Sequence, residues 1–180
     1  IASDIDFLGA SIEAAEGEAF LAAADHAIKN KQACVIVTAG GGLRMQGGMI
    51  SLNQMPRTTL AVNEVKRNGL PYIVVLCDPT AGGITASYAM LGDIHIAEPN
   101  ATVAFAGARV IQGTVKESLP IGFQKSEYLL DKGQIDLVVQ RKDIPEKLGT
   151  LLSILLKKKA HMSSTEDKTT ELSIKTQQAS

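Results

Sequence analysis

The chain has 180 residues, and its 18 basic and 19 acidic side chains give a formal net charge of -1. This length predicts a single domain, and a hydrophobic content of 45% is enough to form a full core. The balanced charge excludes an overall electrostatic field of the kind that attracts nucleic acid or a membrane surface, so neither partner is predicted.

The predicted elements alternate along the chain between helices and short apolar strands. Ser11 is the predicted N-cap of the first helix, and Pro56 is expected to kink the second helix or to open a new first turn. Continuous apolar strands that alternate with helices indicate an α/β fold with a largely parallel sheet covered on both faces. The predicted helices span residues 11–29, 49–68, 84–91, 109–117, 124–132 and 143–157, and the predicted strands span residues 33–38, 72–76, 93–97, 102–106 and 135–139.

The two ends of the chain differ in character. Residues 1–7 have the pattern of a strand already under way, without an initiator methionine or a turn signal, which suggests a fragment. At the other end, a run of lysines leads into a polar segment with too few apolar residues to anchor it, so residues 158–180 are predicted to be a disordered tail. The folded domain is therefore expected to span residues 1–157.

The two cysteines indicate a reducing compartment. Cys34 and Cys77 each lie inside an apolar run, and the sequence contains neither a CxxC pair nor clustered histidines. Buried, unpaired thiols are typical of a cytoplasmic protein, and the residue spacing predicts no metal site in this chain. No apolar stretch approaches the roughly 18 residues of a membrane-spanning helix, so a cytoplasmic location is predicted.

Two glycine-rich turns are the strongest functional signal in the sequence. One follows the first apolar strand and runs from Gly40 to Met45, and the other follows the next apolar strand and runs from Pro79 to Gly83. Where a strand ends and a helix begins, backbone N–H groups point outward with no side chain to cover them, and such groups bind anionic oxygen. The two turns therefore indicate a site built from backbone donors, which suits a reaction that passes through an enolate or another oxyanion.

A series of motifs in a fixed order resembles one enzyme family. The glycine turns, which read GGLRMQ and DPTAGG, are accompanied by further segments between about residue 6 and residue 156. Together they resemble the β subunits of bacterial acetyl-coenzyme A carboxylase carboxyltransferases. The further segments read SLNQM, GLPYI, LGDI, AEP, FAGARVI and LPIGFQ.

The resemblance implies a fold, a reaction and partners. The fold would be crotonase-like, also called Clp protease-like, with repeated β-β-α units and without its first strands here. The reaction would transfer a carboxyl group from carboxybiotin, presented by biotin carboxyl carrier protein, to acetyl-coenzyme A, giving malonyl-coenzyme A for fatty acid biosynthesis. The family acts with a separate α subunit in an α2β2 assembly, and its zinc ribbon would precede the first residue of this chain, so zinc is expected only there.

The resemblance also implies roles for individual residues. Gly82 and Gly83 are predicted to be the catalytic pair whose amides stabilise the enolate oxygen, with the dipole of the helix predicted at residues 84–91 behind them. It further implies that biotin accepts the methyl proton, so no side-chain base is required. The predicted substrate-binding residues are Gly41, Gly42, Arg44, Thr80, Gly107 and Arg109, and for the two arginines hydrogen bonding that fixes the turns is an open alternative.

Two other functions remain open on the sequence. A crotonase-superfamily hydratase or isomerase of acyl-coenzyme A would need a carboxylate near the glycine turns, and the nearest candidates are Glu13, Glu16 and Glu18. A non-catalytic structural fragment would keep the fold but bind little. Ser87 lacks a convincing histidine and acid partner for a Clp protease-like triad, and His95 is predicted to face the surface from a strand.

Overall fold

The computed structural model describes residues 1–116 and 118–157, so the predicted disordered tail at residues 158–180 lies outside the described residues. None of the helices in these two ranges combines the length and the apolar character that crossing a bilayer requires. The strands are β1 (Cys34–Gly40), β2 (Tyr72–Ala81), β3 (Ile94–Ala97), β4 (Val103–Ala104) and β5 (Leu137–Val138). The helices are α1 (Ala14–Lys29), α2 (Met49–Leu52), α3 (Gln54–Arg67), α4 (Ala108–Val115), α5 (Ser126–Asp131) and α6 (Ile144–Leu155).

Strand β2 lies at the centre of the sheet. It pairs with β1 on one side and with β3 and β4 on the other, while β5 extends the sheet beyond β3. All of these pairs are parallel, which confirms the predicted largely parallel sheet. The register places Cys34 opposite Tyr72 at one end of the β1–β2 ladder and Gly40 opposite Thr80 at the other.

The sheet is covered on both faces, as predicted. In the buried stretch of β2 from residue 72 to residue 77, alternate side chains belong to different cores. The even-numbered side chains share a core with Phe20 of α1 and Val62 of α3. The odd-numbered side chains share the other core with Ile144 and further residues of α6. This alternation explains why β2 is apolar at every position rather than at every second one.

The start of α1 differs from the prediction. The N-cap is Glu13, and its side chain accepts a hydrogen bond from the backbone of Glu16 in a reciprocal capping box. The Glu16 carboxylate in turn accepts the Glu13 N–H at 3.1 Å. The prediction of Ser11 as the N-cap is therefore wrong, because two glutamates three residues apart satisfy the first turn instead.

Two other predicted helices differ from those in the structure. The predicted helix at residues 49–68 divides at Asn53 into α2 and α3, and Pro56 lies in the first turn of α3, as one of the two expected outcomes described. The predicted helix at residues 84–91 is wrong. Residues 82–88 form consecutive turns, and only Ala89–Leu91 forms a short 3-10 helix.

Candidate functional site

The carboxyl ends of β1 and β2 carry the two glycine turns and lie side by side. Because these strands are parallel and Gly40 pairs with Thr80, residues 41–44 and 82–83 leave the sheet at the same edge. Ligand sites of open α/β sheets form at this edge. The structure therefore brings together the two turns that the sequence indicated as one site.

The two turns touch through their backbones. A Cβ atom on Gly82 would lie 2.6 Å from the carbonyl oxygen of Gly41, and a Cβ atom on Gly42 would lie 3.1 Å from the backbone nitrogen of Gly83. Gly42 and Gly82 also have positive φ angles of 130° and 60°. Space and backbone conformation therefore both require glycine at these two positions. A Cβ atom on Gly41 would meet no atom within 4 Å, so that side of the turn is open.

The backbone amides of Gly82 and Gly83 differ in their hydrogen bonds. The Gly82 N–H donates to the carbonyl oxygens of Ala104 and Phe105, at 3.1 Å in each case. The Gly83 N–H has no acceptor among residues 1–116 and 118–157. The prediction that both amides are available is therefore wrong for Gly82, whose N–H joins β2 to the segment after β4. Of the pair, only the Gly83 amide lacks an acceptor in the described residues, and its role as a donor to substrate stays a prediction.

Side-chain hydroxyls hold the segment after Gly83 in its turns. Thr85 Oγ1 donates to the carbonyl oxygen of Gly82 at 2.8 Å, and Ser87 Oγ donates to that of Gly83 at 2.6 Å. The Gly82 carbonyl oxygen also accepts the Ala86 N–H at 3.0 Å. Residues 82–88 nevertheless form turns and not a regular helix, so the helix dipole predicted behind the Gly83 amide is absent there. Ser87 is buried and bonded to the backbone, which gives it a structural role.

Thr80 lies beneath the turns and not in the open site. Its side chain is fully buried, and its hydroxyl lies 2.8 Å from the carbonyl oxygen of Cys77 and 3.0 Å from that of Thr38. A fully buried hydroxyl that is bonded within the sheet is not accessible to substrate. The buried Thr80 side chain therefore supports the turns from below, and substrate binding by residue 80 stays a prediction.

Arg44 is bonded to the start of α1. Its Nη1 donates to Glu13 at 2.6 Å, and its Nη2 donates to Glu16 at 3.2 Å. Its Nε and Nη2 also donate to Ser11, at 3.1 Å to the hydroxyl and 3.0 Å to the carbonyl oxygen. Of the two roles that the sequence left open for Arg44, these contacts favour fixing the turn. This network was not predicted, and its only signal in the sequence is the three-residue spacing of Glu13 and Glu16.

Gly107 and Arg109 lie at the start of α4. Gly107 is the N-cap residue of this helix, and Arg109 is exposed in its first turn. The segment is joined to the glycine turns through Phe105, whose carbonyl oxygen accepts the Gly82 N–H. A Cβ atom on Gly107 would meet no atom within 4 Å, so its surroundings are open. Substrate binding by Gly107 and Arg109 stays a prediction.

The remaining titratable side chains in the core do not form a reactive site. His95 has only 12% of its side chain exposed, and its Nε2 accepts the Gly92 N–H at 3.1 Å, so the prediction that it faces the surface is wrong. Cys34 and Cys77 are buried and unpaired. Burial, together with the nearby Glu98 carboxylate, raises the pKa of Cys77 to about 11, and burial also raises the pKa of Cys34. Within the described ranges, no three side chains of His, Cys, Asp or Glu are placed to hold a metal ion.

A family model matches the part of the chain that contains both glycine turns. This model, described as the carboxyl transferase domain, matches residues 1–127. The chain belongs to the carboxyl transferase domain family. The match covers β1 to β4 and α4, so every predicted site residue lies in this carboxyl transferase domain.

Bacterial relatives confirm the resemblance stated from the motifs. The chain is 67% identical over 171 residues to the acetyl-coenzyme A carboxylase carboxyl transferase subunit beta of Pelagibacter ubique, which covers 95% of this chain and 55% of that protein. A protein of the same name from Phenylobacterium zucineum is 58% identical over 160 residues, covering 89% of this chain and 52% of that protein. The chain thus spans about half the length of these relatives.

Solved structures confirm the crotonase-like α/β fold. A Pseudomonas malonate decarboxylase hetero-dimer superimposes with a TM-score of 0.73 at 19% identity, covering 96% of this chain and 78% of that chain. A transcarboxylase 12S structure with methylmalonyl-coenzyme A bound superimposes with a TM-score of 0.74 at 22% identity, covering 83% of this chain and 29% of that chain. At these identities the likeness concerns the fold alone.

Proposed function

We propose that this chain is the carboxyltransferase β-subunit part of a biotin-dependent acetyl-coenzyme A carboxylase. Its glycine turns would bind the thioester of acetyl-coenzyme A while a carboxyl group is transferred to the methyl carbon, giving malonyl-coenzyme A. The names of the bacterial relatives support this reaction. The observation that carries the proposal is the Gly83 N–H, which lies beside Gly42 at the ligand-binding edge of the sheet with no acceptor in the described residues.

The Gly83 amide suits the charge that develops in this reaction. Removing a proton from the acetyl methyl group places negative charge on the thioester oxygen. A backbone N–H that is already oriented toward that oxygen stabilises the charge without reorganising, and removing one such donor lowers kcat by about 100-fold to 1000-fold. Gly82 contributes differently, because its missing Cβ lets the Gly41 carbonyl approach and holds the two turns together.

The open side of Gly41 fits a coenzyme A thioester. Because a Cβ atom there would meet no atom within 4 Å, acyl and pantetheine groups can approach the backbone closely. Carboxybiotin would supply the carboxyl group, and the biotin left after decarboxylation would accept the methyl proton, so this chain need not supply a base. Of the three carboxylates that a hydratase could use, Glu13 and Glu16 are paired with Arg44, and Glu18 is paired with Arg57. This pairing argues against the hydratase alternative.

We infer that an α subunit and biotin carboxyl carrier protein complete the site, in an α2β2 assembly located in the cytoplasm. The buried, unpaired thiols support a reducing compartment. Exposed apolar side chains in the segment from residue 105 to residue 121 support a protein partner, since exposed apolar surface of this kind marks interaction sites. These side chains are Phe105, Val110, Val115 and Ile121.

Gly42→Ala tests the site with a single methyl group. The added Cβ would lie 3.1 Å from the Gly83 nitrogen and would obstruct the approach of the thioester oxygen. In the full-length protein assembled with its α partner, we expect kcat for biotin-dependent malonyl-coenzyme A formation to fall by about 100-fold or more. Gly149→Ala is the matched control, because Gly149 is exposed on helix α6 and its added methyl group would meet no atom within 4 Å.

The controls separate the alternatives. Equal activity of the Gly42→Ala and Gly149→Ala proteins would contradict the role of the Gly83 amide. Circular dichroism and co-elution with the α partner check that the Gly42→Ala protein is folded and assembled. Hydration of crotonyl-coenzyme A without biotin would favour the hydratase alternative. A wild-type assembly that neither binds coenzyme A nor forms malonyl-coenzyme A would favour a non-catalytic structural role.

A further inference from the structure

We propose that Arg44 is a positioning residue for the oxyanion donor, because it fastens the first glycine turn to the start of α1. This inference rests on the proposed function, since it concerns how the same site is held. The guanidinium of Arg44 bonds to Ser11, Glu13 and Glu16 and therefore acts on the site through the backbone.

The two glutamates that bind Arg44 are also held by hydrogen bonds within α1. Glu13 and Glu16 form the capping box of α1, so their carboxylates are already oriented by the backbone of the first helical turn. Only 15% of the Arg44 side chain is exposed, so water competes little with the two carboxylates for its N–H groups. Charge-assisted bonds from a planar guanidinium to such fixed carboxylates are directional as well as strong. The side chain thus specifies where residue 44 lies relative to α1.

Backbone bonds on both sides of Leu43 extend this attachment. The Ile12 N–H donates to the carbonyl oxygen of Gly42, and the Arg44 N–H donates to the carbonyl oxygen of Ile12, both at 2.9 Å. These bonds form a parallel bridge between Ile12 and Leu43. The Arg44 side chain therefore stabilises a short paired segment and does not act on a free loop.

The paired segment forms the wall next to the proposed donor. A Cβ atom on Gly83 would lie 2.7 Å from Leu43 Cγ, so Leu43 covers Gly83 on that side. Gly42, which precedes Leu43 in the first glycine turn, lies close to the Gly83 nitrogen. If the segment shifted, this wall would move against the Gly83 N–H. A misplacement of about 1 Å near a reacting group can lower the rate about 100-fold.

Arg44→Ala and Arg57→Ala provide a matched comparison. Arg57 on α3 also bonds to α1, through Glu18 at 2.6 Å, and its other hydrogen bond in the described residues goes to Gln54. With the full-length protein and its α partner, we expect Arg44→Ala to lower kcat about 100-fold. The KM for acetyl-coenzyme A should change less than about threefold, because binding energy away from the reacting atoms is retained. Arg57→Ala should stay within about twofold of the wild type.

Chemical rescue distinguishes positioning from a general loss of stability. Guanidinium added below its denaturing concentration should restore part of the kcat of Arg44→Ala, whereas ammonium should not, because it lacks the planar fork of donors. A merely destabilised variant would lose further activity in guanidinium. Equal kcat losses in Arg44→Ala and Arg57→Ala, or a loss that guanidinium only deepens, would overturn the proposal.

Glu13→Gln provides a second variant if Arg44→Ala does not fold. Glutamine keeps the side-chain length and an oxygen for the helix cap but removes the charge that Arg44 contacts at 2.6 Å. We expect kcat to fall about tenfold with little change in KM, as a charge-assisted bond becomes a neutral one. An unchanged kcat would overturn the proposal. An inactive wild-type assembly would instead count against the proposed function, so the two failures are distinguishable.

Discussion

Thr38 and Thr80 join two strands at the point where their backbone ladder becomes irregular. The register of β1 and β2 shifts between Thr38 and Gly40, and the two threonine side chains are fully buried at this shift. Their hydroxyl oxygens lie 3.0 Å apart. Each hydroxyl has a single proton, so when one of them donates to the other, the second is free to donate to a strand carbonyl. The pair therefore supports the sheet directly beneath the glycine turns.

Thr80→Val should destabilise the protein. The substitution keeps the shape of the side chain but leaves the buried carbonyl oxygens of Thr38 and Cys77 without this donor. We expect the free energy of unfolding, measured by urea denaturation, to fall by about 1–3 kcal/mol. Thr114→Val is the control, because Thr114 donates to Val110 on exposed helix α4. A loss no larger than that of the control would contradict the role assigned to the hydroxyl pair.

At the residue scale, the sequence predicted the two glycine turns that meet at one edge of the sheet but not the hydrogen bonds that each residue makes. Glycine after a buried strand predicted the positions of the two turns, because only glycine tolerates the backbone approach seen between Gly42 and Gly83. The hydrogen bonds of the Gly82 amide depend on where β4 pairs, which is a long-range contact. The partners of Arg44 and Thr80 are likewise distant in sequence. Local patterns do not contain such information.

The edge formed by β3 and β5 shows how one histidine can join several elements. His95 Nε2 accepts the Gly92 N–H, and the His95 N–H donates to the Asp136 carboxylate at 2.7 Å. The acceptor role of Nε2 requires a neutral ring whose single proton is on Nδ1. Burial lowers the pKa of His95, and this effect outweighs the opposing attraction of Asp136. Lys66 also lowers this pKa, while Asp93 raises it.

The lowered pKa of His95 predicts that acid destabilises this edge. In the unfolded chain the ring takes up a proton near pH 6.5, whereas in the folded protein it does so only at lower pH. The unfolded state therefore binds more protons as the pH falls below about 6.5, and the free energy of unfolding decreases in that range. Above that range the contribution is fully present.

The test compares unfolding at different pH values. His95→Gln keeps an acceptor for Gly92 but cannot titrate, so its free energy of unfolding should depend less on pH than that of the wild type between about pH 7.5 and pH 5.5. His26→Gln is the control, because His26 lies on the exposed side of α1. If His95→Gln and the wild type showed the same pH dependence, the buried ring would not be responsible.

At the element scale, the apolar runs predicted which strands exist better than they predicted the residues at which those strands begin and end. The strands at β1 and β2 were expected, yet both continue to the glycine turns because pairing between them persists to Gly40 and Thr80. The predicted helix at residues 84–91 failed for a local reason. Its backbone N–H groups bond to carbonyls three, four and five residues earlier rather than at one regular spacing, and two hydroxyls bond to the carbonyls of the glycine pair.

On the scale of the whole molecule, the segment after β4 exposes apolar side chains that the described residues do not cover. Phe105, Val110, Val115 and Ile121 are exposed in a short stretch of sequence, and Ile121 is fully exposed. Helix α4 within this stretch has no buried residue. An amphipathic helix without a buried face is suited to contact another protein.

Val110→Lys should weaken assembly with the α partner. A lysine in place of an apolar contact residue brings a charge that must be desolvated at the interface. We expect the dissociation constant, measured by calorimetry with the full-length proteins, to rise about tenfold or more. Ile154→Lys introduces the same charge at another exposed apolar position, on α6, and should have a much smaller effect. Equal weakening by both substitutions would contradict the assignment of this surface.

The contact between the two glycine turns also has a consequence for inheritance. Every amino acid other than glycine brings a Cβ atom, so at Gly42 and Gly82 no missense change is mild, however small the new side chain. In a site that relies on main-chain donors, side chains such as Arg44 act only through the way they hold the backbone. Selection therefore acts at these two positions against every substitution, because each one adds a Cβ atom.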